Sequence, residues 1–103
     1  MMTRVIVTEL ADADTAEILA DITREAGYRA AEKYNFRIES LYDRLAEHPD
    51  SYEARPKLGA HIRVGVVVPY LVIYRHAAGD DTVSIVRVVH GRRKITRKLL
   101  HGS

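Results

Sequence analysis

The sequence predicts an α+β domain: an N-terminal strand, an α-helical hairpin, a three-stranded antiparallel meander and a short basic C-terminal tail. Three observations carry this. Apolar residues recur with a helical period from Asp12 to about His48, and with strand character after Ala60. Glycine or proline punctuates the chain at Gly27, Pro49, Gly59, Pro69 and Gly79, where elements would end. The 103 residues, 47% hydrophobic and 29% charged, suit a single domain over residues 1–103 with one real core.

Arg4 to Thr8 is a β-branched run and reads as the first strand. Asp12 or Asp14 can cap the helix that follows, since a carboxylate accepts from the free N–H groups of a first turn. Ile18, Leu19, Ile22 and Ala26 share a face of that helix, and Gly27 stops it. Ala31, Tyr34, Ile38, Leu41 and Leu45 then step at helical spacing, giving one apolar stripe that ends before Pro49. Two helices joined at a glycine predict an antiparallel hairpin. Asp50 to Ala60 reads as a connection. His61 to Val68, Tyr70 to Arg75 and Thr82 to Val89 read as consecutive strands, with turn chemistry at Ala77 to Asp81. Short connections make them an antiparallel meander. Beyond Gly91 the tail to Leu100 reads either as a short basic helix or as a loose arm.

The formal net charge of +2 conceals an asymmetry. Residues 1–51 hold 6 Lys/Arg against 11 Asp/Glu, and residues 52–103 hold 10 against 3, giving balances of −5 and +7. The stretch from Arg87 to Ser103 contains six basic side chains, two histidines and no acid. Such a split points to an anionic partner, a polyanion or an acidic protein segment. The absence of cysteine excludes disulfides, thiolate metal sites and a cysteine nucleophile. Neither a secretory leader nor a bilayer-length apolar run is visible, so the expectation is a cytoplasmic protein without a membrane role.

Asp14, Glu17 and Asp21 have the spacing of one solvated helix face and not of a catalytic carboxylate pair. The histidines (His48, His61, His76, His90 and His101) lack metal-site spacing, so no metal and no cofactor is expected. His90, beside Gly91 at a strand end, either carries function or satisfies the local backbone, the latter being the leading expectation. Arg63, Arg75 and Arg87 lie on three successive strands, with Arg92 and Arg93 just after the last. Long cations are not buried without partners, so these residues are expected to line one exposed basic face. Tyr70 and Tyr74 either present aromatic surface to that face or pack on the hairpin.

The strand Tyr70-Leu71-Val72-Ile73-Tyr74-Arg75, the Gly/Asp turn, and Val83-Ser84-Ile85-Val86-Arg87-Val88-Val89-His90-Gly91-Arg92-Arg93-Lys94-Ile95 resemble the ParE toxins of bacterial type II toxin–antitoxin systems, a branch of the RelE/ParE superfamily. The hairpin end Leu45-Ala46-Glu47-His48-Pro49 and the lead-in Leu58-Gly59 with Ile62-Arg63 match the same layout, so the resemblance spans essentially the whole chain.

The resemblance implies a protein that poisons DNA gyrase on cleaved DNA and is held inactive by a ParD-like antitoxin. That partner carries a ribbon-helix-helix domain and a wrapping tail, so operator DNA is met only through it. It implies antitoxin contacts at Arg63, Arg75, Arg87, Arg92 and Arg93, with Leu19 and Ile22 offering apolar surface. The basic C-terminal segment, Arg92, Arg93, Lys94, Arg97 and Lys98, is expected to contact the target. The alternative within the superfamily is a RelE-like ribosome-dependent mRNA endoribonuclease. That chemistry needs an acid and a base without a metal. Ile95, Thr96 and Arg97 stand where those enzymes place an aromatic acid/base, leaving only His61, His76, His90 or His101 to serve. A protein-binding inhibitor, with no catalytic residues of its own, is therefore the leading expectation.

Overall fold

A computed structural model describes residues 2–101. The elements run β1 (Arg4–Val7), α1 (Glu9–Ala26), α2 (Tyr28–Glu47), β2 (Glu53–Ala54), a 3-10 turn (Pro56–Leu58), β3 (Ile62–Val67), β4 (Tyr70–Arg75), β5 (Thr82–His90) and α3 (Arg97–Leu100). The sheet has the order β1-β5-β4-β3-β2. The predicted meander is present as β3-β4-β5, antiparallel throughout. Two features extend it. β1 pairs parallel to β5, which makes the sheet mixed. Within the expected connection, Glu53 and Ala54 pair with Val64 and Arg63 as a short edge strand.

The hairpin forms where predicted, but Thr8 caps α1, in place of Asp12 or Asp14. Thr8 has an extended backbone, its Oγ1 accepts from Ala11 N, and its hydroxyl donates to Ile85 O at 2.7 Å. One residue thus ends β1, starts α1 and ties both to β5. Gly27, at φ 93°, turns the chain from α1 into α2, a conformation that costs a side-chain-bearing residue. α2 then crosses the sheet so closely that a Cβ on Gly65 would meet Leu41 Cδ1 at 3.0 Å.

The sheet is covered on both faces. On one, the hairpin buries Ile38, Leu41 and Leu45 against Val72, Tyr74, Val83, Ile85 and Val88. On the other, Ile62, Val64, Ile73 and Val89 pack beneath Leu99 and Leu100 of α3, with Leu58 and Ile95 at the margin. The tail is therefore a short helix docked by two leucines. A loose arm would have left those strand residues in water. No helix among the described residues is long and apolar enough to cross a membrane.

Candidate functional site

A β-bulge decides where the basic residues go. Ile73 pairs with Arg87 but Tyr74 pairs with Ile85, leaving Val86 as the extra residue. Plain alternation from Val83 and Ile85 would aim Arg87 into the hairpin-side core. The bulge shifts it to the opposite face, opposite Ile73.

Arg87 is then held at the sheet edge beyond the end of β1. Its Nε and Nη2 donate to the two carboxylate oxygens of Asp14 at 2.7 and 2.8 Å, and Nη1 donates to Leu99 O at 2.9 Å. Asp14 Oδ2 also accepts from Val88 N at 3.0 Å, satisfying a strand N–H that β1 is too short to reach. The bond to Asp14 raises the Arg87 pKa against the opposing effect of burial. One ion pair thus joins α1, β5 and α3. Asp14 is not on a solvated face with Glu17 and Asp21, and Arg87 is buried, in contrast to the exposed residue expected at that position.

The other arginines do not share a single face either. Arg63 lies directly across from Tyr74, toward the hairpin side, and its Nη1 donates to Tyr52 O at 2.6 Å and Asp50 O at 3.2 Å. Arg75 is exposed and turned to the α3 side, across from Ile62. Arg92, Arg93 and Lys94 are exposed past the end of β5. Arg97 and Lys98 are exposed on α3, with Arg97 Nε donating to Lys57 O at 3.1 Å. Leu19 and Ile22 are half-buried on α1.

The tyrosines pack on the hairpin. Tyr74 is wholly buried and donates to Pro49 O at 2.8 Å, burial pushing its pKa up to about 12. Tyr70 meets Tyr34 edge-on at 5.8 Å. His90 accepts from Arg92 N through Nδ1 at 3.0 Å, the local backbone role its position suggested.

His76 and Asp50 form a second polar cluster that the sequence did not reveal. His76 Nδ1 lies 2.8 Å from Asp50 Oδ1 and Nε2 lies 2.9 Å from Asp80 O. Two acceptors around one ring require both nitrogens to carry hydrogen, which is the imidazolium. Burial lowers the His76 pKa, but the bonds to Asp50 and the Asp80 carbonyl, with the charges of both aspartates, outweigh it and leave a net rise. Arg63 Nε lies 3.4 Å from the same Asp50 Oδ1 that His76 contacts. A raised folded pKa stabilises the fold fully below the ordinary value of 6.5 and loses that contribution as the pH climbs through the folded value. Melting temperatures should therefore fall as the pH rises above the ordinary histidine value of about 6.5, by a component that His76→Gln removes. Parallel pH profiles for the two proteins would contradict this.

Comparison with known proteins decides the family. A model of the ParE toxin of type II toxin–antitoxin system, parDE, matches residues 5–95. The chain belongs to the ParE toxin family. It is 33% identical over 98 residues to Toxin ParE3 of Caulobacter vibrioides, covering 95% of this chain and 96% of that toxin. This ParE fold is similar to that of a chromosomal ParDE toxin–antitoxin system from P. aeruginosa, with TM-score 0.72 at 20% identity, over 86% of this chain and 96% of that one. It also resembles the toxin–antitoxin complex RelBE2 of Mycobacterium tuberculosis, with TM-score 0.59 at 21% identity, over 87% and 99% of the two chains. At those identities the two structural likenesses speak to the fold alone. Within this ParE chain the family-matched span runs from β1 to Ile95 and stops short of α3, which nevertheless completes the second core.

Proposed function

We propose that this ParE chain is the toxin of a ParDE-type module, inhibiting DNA gyrase by binding and neutralised by a ParD-like antitoxin. The observation that carries the reading is the C-terminal segment. It presents Arg92, Arg93, Lys94, Arg97 and Lys98 to solvent, and no carboxylate or aromatic acid/base stands among them. The segment is equipped to hold an anionic surface. Arg75, Arg92 and Arg93 suit acidic antitoxin side chains, which arginine binds in bidentate fashion. Arg63 offers only the part of its guanidinium not already bonded to the Asp50–Tyr52 loop. Arg87 drops out of the antitoxin surface, because its donors are taken by Asp14 and Leu99. Leu19 and Ile22 on α1 supply an apolar strip for a partner helix. Operator DNA is reached through the antitoxin.

Purified chain is expected to block gyrase supercoiling, and equimolar antitoxin to restore it. Cells expressing the chain should show an SOS response with intact messenger RNA by primer extension. New ribosome-dependent cuts with unimpaired supercoiling would overturn the reading in favour of a RelE-like endoribonuclease.

A further inference from the structure

The face of the sheet covered by α3 has a chemical character of its own. Leu99 and Leu100 cover Ile62, Val64, Ile73 and Val89, Ile6 and Val66 stay exposed, and the charged strand residues turned outward are mainly cationic. Leu58 and Leu99 belong to the same cluster, and the bond from Arg97 Nε to Lys57 O ties α3 to the 3-10 turn. That brings Lys57, Arg97 and Lys98 to one side. Arg75 pairs with Ile62 of the same cluster. Arg4 pairs with Thr82, whose side chain shares the face of Ser84, the partner of Arg75. All five cations are exposed. Glu53 is the one acid among the strand residues, and it lies on the short edge strand.

We propose that this face binds the sugar–phosphate backbone of duplex DNA directly. The inference deepens the gyrase reading, on which its cellular meaning rests: the toxin would hold the DNA of the gyrase complex as well as the enzyme. An acidic peptide is the competing occupant, but a folding peptide interface needs apolar anchors seated in pockets. Here the exposed aliphatic side chains of the face, Ile6 and Val66, stand apart on β1 and β3, with β5 and β4 between them. A phosphate backbone needs charge without anchors, and it draws its affinity from counterion release.

The test uses the full chain without antitoxin, a fluorescein-labelled duplex of about 20 base pairs, and anisotropy in rising salt. Neutralising about four phosphates predicts an affinity loss of roughly 100-fold between 50 and 200 mM salt. The triple variant Lys57→Glu, Arg75→Glu, Lys98→Glu changes side chains that make no bond among the described residues. It should bind at least about tenfold more weakly and flatten the salt slope by about 0.9 per lost contact. The glutamine triple keeps the question open to refutation if the glutamate variant folds poorly. A control that reverses Arg24, Arg29 and Lys33 on the helical side removes equal charge and should keep the wild-type slope. Absent DNA binding, a slope unchanged in the triple variants, or tight binding of polyglutamate in place of DNA would overturn the inference. Gyrase inhibition without DNA binding sinks this inference and leaves the proposed function standing. DNA binding without inhibition does the reverse.

Discussion

Asp14→Ala is expected to lower the melting temperature by roughly 12–40 °C, the largest effect of any single polar substitution in this chain. The side chains of Asp14 and Arg87 are only 13% and 11% exposed. Removing one partner leaves the other buried and uncompensated, a loss of about 3–5 kcal/mol. In a domain of this size each kcal/mol moves the midpoint by about 4–8 °C. The substitution also strips Val88 N of its acceptor. Arg87→Leu should be comparably damaging. The double variant Asp14→Ala, Arg87→Leu should lose less than the two single losses combined, because it leaves no buried charge behind. Additive losses in the melting curves would show that the pair is not coupled.

The second large effect is at the tail. Leu99→Ala and Leu100→Ala should each cost about 2–3 kcal/mol, the lower part of the range for a buried leucine, since the site is near the chain end and can relax. Arg97→Glu or Lys98→Glu, on the exposed side of the same helix, should change stability by no more than about 0.5 kcal/mol. Urea titration of the four variants checks both halves. Equal effects for the leucines and the cations would mean that α3 is not docked in solution. The contrast also governs how the tail is probed. Truncation from Lys94 onward would uncover Ile62, Val64, Ile73 and Val89 and free Arg87 from Leu99, so lost activity would report unfolding as readily as lost contacts.

Much of the fold is legible in the residues. The stripe from Ala31 to Leu45 is one face of α2, and Gly27 is the corner between the helices. Valine-rich runs broken by Pro69 and by the Ala77–Asp81 turn become β3, β4 and β5. What the sequence conceals is non-local. A parallel pairing of β1 with β5 joins residues some eighty positions apart, and the three β-branched residues of β1 carry no mark of their partner. The bulge at Val86 reverses the side-chain alternation, so no period-two reading places Arg87 correctly. Asp14 looks like its helix neighbours Glu17 and Asp21. Only the shortness of β1, which leaves Val88 N–H unpaired, gives it a different role. The Leu99-Leu100 pair in an otherwise cationic tail was the one local sign that the tail docks. The charge split is legible in the sequence, yet it divides the molecule by sheet face and chain end more than by a single groove of arginines.

In the proposed function, exposed cations past β5 engage gyrase, and the leucines and Arg87 hold them in place. Gyrase supercoiling assays with wild type and with the variant Arg92→Glu, Arg93→Glu, Lys94→Glu test it most directly, since these side chains are exposed and Leu99 and Leu100 remain docked. The expected result is an unchanged melting temperature and at least about a tenfold rise in the toxin concentration needed for inhibition, the size of effect expected when several charge contacts of an interface are reversed. Equal inhibition by the two proteins, or none by the wild type, would contradict it.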